Sequence, residues 1–173
     1  VFTNWQDHLD NQAKWKANGK LAFISKKERP PSVNFSWQNQ GDNETPDFKL
    51  KLTTFIGTQV LLLTQTKTRA QLDYDNKTYR DSNAQNMLSR LTNLSFPVNE
   101  APSWLKGRPQ SAHAKYDELD RIISATIEDT QGDTWQVTYN QYVKNSGVWL
   151  PTKLNLVRND LKIKMQIHSW QFN

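Results

Sequence analysis

Between Phe48 and Thr53 the chain alternates strictly, with Phe48, Leu50 and Leu52 apolar and Lys49, Lys51 and Thr53 polar. A period of two belongs to a β-strand with one dry and one wet face, and it does not fit the 3.6-residue period of a helix. The pattern recurs in Val33, Phe35 and Trp37 against Asn34, Ser36 and Gln38, and again in Trp135, Val137 and Tyr139. A chain made of such one-sided segments must bring their apolar faces together around a shared interior.

The remaining strand signals are Gly19–Ser25, Val60–Leu63, the pair Gln71–Tyr74 and Lys77–Arg80 around Asp75-Asn76, Arg121–Asp129, Trp149–Val157 and Leu161–Phe172. Turn residues separate them: the prolines within Lys26–Pro31, Gln131-Gly132-Asp133, Lys144–Gly147 and Arg158-Asn159-Asp160. About ten or eleven short strands linked by hairpins predict an antiparallel sheet, drawn here as a strongly curved, incomplete β-barrel. The fold class is mainly β with helices (α+β), in a single domain spanning residues 1–173. Mean hydropathy is −0.81, yet seven Trp, seven Phe and five Tyr supply a large apolar payload. That combination suits a sheet with one wet face better than a helical bundle.

Helical signals are confined to two places. Asn4 is a candidate N-cap for a first helix with Trp5, Leu9 and Ala13 on one face, ending near Asn18-Gly19. Ser82 with Gln85 forms a capping-box pattern ahead of Ala84, Met87, Leu88 and Leu91, and Asn93 closes that helix. Asn99 caps a shorter one carrying Trp104 and Leu105, stopped by Gly107 and Pro109. The block at about 82–109 is therefore a helical insertion between two sets of strands. Its apolar side either plugs the sheet as ordinary core or forms a lid over a cavity, with Met87 and Leu91 as the lid residues.

One turn breaks the usual rule. Between the strands at 48–53 and 60–63, Gly57 is the natural turn residue, but Phe55 and Ile56 stand beside it where polar residues are usual. Either this tip folds back on the core, or the strand continues through it, or Phe55-Ile56 projects to touch something apolar outside the molecule.

Catalytic chemistry finds little support. His8, His113 and His168 are far apart and form no metal-binding spacing, and no nucleophile elbow, phosphate loop or dinucleotide fingerprint is present. The carboxylates Asp73/Asp75 and Asp117/Glu118/Asp120 lie beside turns, where solvated charge is their ordinary role. There is no cysteine and so no disulfide or thiolate site. The net charge of +5 suits anionic partners, but no Lys/Arg run exceeds two residues. A base-stacking platform would mix aromatics with Lys or Arg on one face, whereas these faces are solidly apolar, so no nucleic-acid partner is expected. They look like the inside of something, either filled or open to a ligand. The start at Val1 is read as a trimmed chain from which a targeting or lipid-attachment segment has been removed.

Several blocks, in order, resemble one family. They are Trp5 and His8, G-K-L-A-F-I-S at 19–25, F-S-W-Q at 35–38 and the hairpin at 48–63. N-M-L-S-R-L-T-N-L-S-F-P-V at 86–98 and W-L-K-G-R-P at 104–109 follow, then W-Q-V-T-Y, L-P-T-K-L and K-I-K-M-Q-I-H-S-W near the end. Together they are similar to the LolB family of outer-membrane lipoprotein receptors of Gram-negative bacteria. The resemblance implies an incomplete barrel closed by helices around a hydrophobic cavity. It implies no enzyme activity, cofactor or metal. The partners it implies are lipoprotein acyl chains, the periplasmic carrier LolA and outer-membrane lipid; a monomer is expected. By position, the family's projecting apolar residue, needed for membrane insertion, corresponds to Ile56, with Phe55 and Gly57 completing the loop. The family usually has Leu there, often after Pro, so this tip departs in identity but not in greasiness. The implied location is the periplasmic face of the outer membrane, through an N-terminal lipidated cysteine that this chain does not contain. Phe35, Trp37, Leu50, Leu52, Trp104, Trp135 and Val137 are expected as acyl-chain cavity wall. A LolA-type carrier, or a generic soluble lipid-binding protein, is the alternative.

Overall fold

A computed structural model describes residues 4–42, 44–92, 94–111 and 113–172. Helix α1 (Trp5–Asp10) is followed by strands β1 (Trp15–Ile24), β2 (Val33–Asn39), β3 (Phe48–Thr53), β4 (Gln59–Gln65), β5 (Ala70–Tyr74) and β6 (Lys77–Asp81). Helix α2 (Ala84–Leu91), a 3-10 turn (Val98–Glu100) and helix α3 (Ala101–Trp104) make up the insertion. Strands β7 (Lys115–Tyr116), β8 (Ile122–Glu128), β9 (Thr134–Asn145), β10 (Val148–Arg158) and β11 (Leu161–Phe172) complete the chain. Among the described residues the eleven strands form one antiparallel sheet in the order β6-β5-β4-β3-β2-β1-β11-β10-β9-β8-β7. The sheet is two meanders joined where β1 pairs with β11, and it is not closed: β6 and β7 remain as edges. The insertion runs from one edge strand to the other.

The period-two faces bury as their sequence requires. Leu50 and Leu52 of β3, Leu61 and Leu63 of β4, and Trp135, Val137 and Tyr139 of β9 all enter the core. At the end of the sheet where β3 begins and β11 finishes, Phe48 stacks on Trp37 (4.5 Å between ring centroids), Trp37 on Trp15 (6.5 Å), and Trp15 meets Trp170 (5.5 Å). The four rings form one continuous row along that end. Asn39 is buried beside it but satisfied, since its amide donates to the Ala13 and Gly41 carbonyls while its oxygen accepts the Trp37 indole N–H.

Four expectations need correction. The first helix ends at Asp10 and not near Asn18-Gly19, because Trp15, Ala17 and Leu21 are on the inward face of β1. Gly19 is not a helix stop but a close-approach position inside that strand. It lies at a bulge in the β1–β11 register, and a Cβ there would overlap the Gln166 carbonyl oxygen. The N-cap of α2 is Asn83, whose side chain accepts the Asn86 N–H, and not Ser82. Asn99 does not cap the short helix. It lies within the 3-10 turn, and its side chain donates to Asn83 and to Thr130. Asn93, the expected close of α2, lies outside the described residues. The two-residue strand β7 carries no sequence pattern of its own. Its register is set against β8.

Candidate functional site

The β3–β4 turn projects. The Gly57 N–H donates to the Thr54 carbonyl (2.9 Å), which puts Phe55 and Ile56 at the two central positions of a β-turn. Gly57 follows at φ +92°, the left-handed conformation that completes a three-residue hairpin loop. The Thr54 N–H bonds to the Thr58 carbonyl and the Thr58 N–H to the Thr54 hydroxyl, so the base of the loop is tied. Phe55 is 84 % exposed and Ile56 74 %. Of the three readings of this tip, the projecting one is what the structure has. Neither side chain helps to hold the turn. Glycine geometry and the two threonines do that.

The seven expected wall residues are all buried at 3 % exposure or less, and all belong to one apolar cluster. That exposure leaves little room for a water-sized space against them among the described residues. Trp37, Leu50, Leu52, Trp135 and Val137 pack side chain against side chain within the cluster. Trp104 borders a hollow of about 250 Å³ between the insertion and β8, with Glu100, Pro109 and Ile127. Phe35 borders an outer-face groove. Of the expected lid residues, Met87 is fully buried and Leu91 half-buried against the same cluster.

Sequence reasoning missed what holds the insertion down. Gln65, buried at the end of β4, donates to the Thr66, Arg69 and Ser82 carbonyls and accepts the Ala84 N–H, which fixes the start of α2. The Trp104 indole donates to the Pro97 carbonyl (2.9 Å), and the Tyr139 hydroxyl of β9 donates to the Trp104 carbonyl. Lys106, buried, donates to the Leu9 and Gln12 carbonyls and so satisfies the C-terminal end of α1. Burial lowers its pKa to about 8, with Asp10 opposing the shift. Arg108 grips Asp10 through two hydrogen bonds, at 2.8 and 3.1 Å.

A polar latch joins the insertion to the β8–β9 turn. Glu100 Oε1 accepts the Thr130 N–H (2.8 Å) and the Asn99 amide donates to the Thr130 hydroxyl (3.0 Å). Gln131 donates to Asn86 (3.1 Å) and Ser89 (2.9 Å) of α2. Oε2 of Glu100 is buried with no partner among the described residues. Burial pushes this carboxyl up to about 7; the Thr130 hydrogen bond opposes the shift and Asp129 adds to it. An acid that ionises near its ordinary 4.5 when unfolded but near 7 when folded stabilises the fold below 4.5. That contribution is lost as pH rises through about 7. Glu100→Gln keeps an acceptor for Thr130 and stays neutral, so its stability relative to the parent is expected to climb between pH 4.5 and about 7 and level off above. Paired urea unfolding curves across that range check this, and a constant difference would refute it.

Two of the turn carboxylates have structural roles. Asp117 accepts from the Leu119 and Arg121 N–H groups and from the Arg121 guanidinium (2.8 Å), and Asp73 accepts from Thr78 (2.8 Å). Burial works to raise the Asp117 pKa, but these hydrogen bonds outweigh it and hold the carboxyl below its usual range.

An open, helix-bridged antiparallel sheet of this kind is also seen in solved structures, a LolA-superfamily protein among them. A LolA-superfamily protein from Nitrosomonas europaea superposes with a TM-score of 0.63 over 99 % of this chain and 94 % of its own, at 10 % identity. The chain itself belongs to the family described as Outer membrane lipoprotein LolB, whose pattern matches residues 13–170. The outer-membrane lipoprotein LolB of Pseudoalteromonas translucida is 46 % identical over 100 % of this chain and 83 % of its own length. That of Psychromonas ingrahamii is 32 % identical over 95 % and 79 %.

Proposed function

We propose that this protein is a receptor that accepts lipoprotein acyl chains from a LolA-type periplasmic carrier and inserts them into the outer membrane. The observation that carries the reading is the Phe55-Ile56 tip, an apolar pair held out from the sheet by a turn that needs neither side chain. The family's name and the fold shared with a LolA-superfamily protein support it. The protein works as a monomer at the periplasmic face of the membrane, without catalytic step or cofactor.

The physics of the task is burial. Each methylene moved out of water gains ~0.8 kcal/mol, so one long acyl chain is worth on the order of 10 kcal/mol. No lipoprotein crosses an aqueous space bare, and a carrier and receptor that shield the same methylenes need differ only slightly in affinity to set the direction. The interior here is packed, so acyl chains enter where side chains give way. The aromatic row lies across one end, and among the described residues the insertion connects edge strands β6 and β7. Withdrawal of the insertion would expose Phe35, Trp37, Leu50, Leu52, Trp135 and Val137 as the wall, with Trp104 facing them from the insertion itself and Met87 and Leu91 moving as the lid. The latch that must open is made of neutral amide and hydroxyl contacts plus one carboxyl, each worth about 0.5–1.5 kcal/mol net and partly open to water.

A transfer assay tests the proposal. A LolA-type carrier loaded with a lipoprotein is mixed with this protein, and each is recovered by affinity tag. The lipoprotein is expected on this protein. Retention on the carrier, with the fold intact, would reduce the reading to a generic lipid-binding module.

A further inference from the structure

The six neighbouring strands β4, β3, β2, β1, β11 and β10 contain no Asp or Glu. Their outward positions carry Lys49 and Lys51 on β3, Lys20 on β1, Lys162 and Lys164 on β11, and Lys153 on β10. The register sets them close together: Lys20 and Lys153 both pair with Gln166, and Lys164 pairs with Ala22 and Asn155. Lys20, Lys153, Lys162 and Lys164 line one groove of about 560 Å³ with Asn155 and Gln166. The ion pairs among the described residues engage arginines, and none of these six lysines has a carboxylate partner there. Like charges on neighbouring strands repel, so this face has its charge to offer outward.

The chemistry narrows the partner. The face is lysine, a mobile point charge, without the guanidinium forks that read a single carboxylate or phosphate. Val157, at 37 % exposure, is the one large apolar side chain exposed on these strands, whereas a protein interface is built on an apolar centre. The face is continuous with the tip, since β3 carries Lys49 and Lys51 and runs directly into Phe55-Ile56. Beside it, the exposed β1–β2 loop adds Lys26, Lys27 and Arg29 against Glu28, and the Asn34 amide donates to the Thr54 carbonyl (3.5 Å).

We propose that this acid-free lysine face is a docking surface for an anionic phospholipid bilayer, which lays the molecule on the headgroups and brings Phe55-Ile56 to the same leaflet. The proposal rests on the reading of the tip as membrane-entering. Each lysine near an anionic surface gives roughly a fivefold gain in binding, screened over about 10 Å in 0.1 M salt.

The test is co-sedimentation with vesicles of phosphatidylcholine alone or mixed with phosphatidylglycerol, at low and high salt. The parent chain is expected to prefer the mixed vesicles, with the preference falling as salt rises. Lys20→Gln/Lys162→Gln/Lys164→Gln is expected to lose that preference by on the order of 100-fold. A control, Lys14→Gln/Lys67→Gln/Lys115→Gln, removes the same charge from exposed positions off this face and should retain most of it. Equal loss in both variants, or no loss in the first, overturns the proposal. So does unchanged vesicle binding with impaired transfer from the carrier, which would assign the face to a protein. Ile56→Glu separates the two ideas: it should keep the salt-sensitive preference and lose insertion. Normal insertion by that variant would defeat the tip reading while the lysine comparison stands on its own.

Discussion

Replacing Ile56 with glutamate is expected to abolish lipoprotein insertion into bilayers while acceptance from the carrier and the fold itself are preserved. The fold is safe because Ile56 is 74 % exposed and the turn is closed by backbone bonds at Thr54 and Gly57. Substitutions at such surface positions stay within about 0.5 kcal/mol. The effect on insertion is large because two terms change together. An isoleucine side chain entering an apolar phase contributes about 1.5–3 kcal/mol, and that is lost. A carboxylate in its place must in addition be desolvated or protonated before the tip can enter. Phe55, at 84 % exposure, remains but cannot sink while its neighbour is held in water. The measurement has three readouts: the circular dichroism spectrum, pull-down of lipoprotein from the carrier, and delivery to liposomes. Only the third should fail, and Ile56→Leu should restore it. A variant that delivers lipoprotein at the parental rate removes the tip from the mechanism.

Trp104→Ala is expected to have the opposite profile, a loss of stability of about 3–5 kcal/mol. Trp104 is 1 % exposed and sits where the insertion meets β9. Its removal leaves a cavity and strips the buried Pro97 carbonyl of its indole donor. The Tyr139 hydroxyl still reaches the backbone carbonyl of residue 104, so the connection from β9 survives in part. The midpoint of urea unfolding should fall sharply with little change in slope. If the midpoint stays put, Trp104 is not part of a packed core, and the insertion is looser than its buried contacts require. Where the variant still folds at low temperature, weakened anchoring of the insertion should speed acyl uptake, which stopped-flow fluorescence of a lipid probe would follow.

The strands were legible because their signal is local. Val33–Trp37, Phe48–Leu52 and Trp135–Tyr139 alternate strictly, and each buries the face that the alternation predicts. Turns were legible for the same reason: Asp75-Asn76 adopts φ values of 55° and 61°, and Ser146-Gly147 and Asn159 are likewise left-handed. The end of the first helix is ambiguous in the sequence, because Trp5, Leu9 and Ala13 share a helical spacing while Trp15 and Ala17 carry an equally good strand spacing. Pairing of β1 with both β2 and β11 decided between them. Gly19 illustrates the same limit. Read locally it stops a helix, whereas its actual role is set by a carbonyl nearly 150 residues away.

Local patterns in the chain are enough to specify a one-sided antiparallel sheet with an apolar interior, and they single out Phe55-Ile56 as a tip that breaks the rule for turns. Periodicity and turn chemistry act over a few residues, and those conclusions need nothing more. Long-range packing sets the rest: the tip projects, the inward side chains are buried against one another, and Gln65, Glu100, Lys106 and Gln131 hold the insertion down. Those partners lie from 19 to 97 residues apart in the chain, and no local pattern encodes a hydrogen bond that exists only after the sheet has curved. The same holds for the lysine face. Its residues are scattered singly through the sequence, and only the pairing of β1 with β11 gathers them onto one surface.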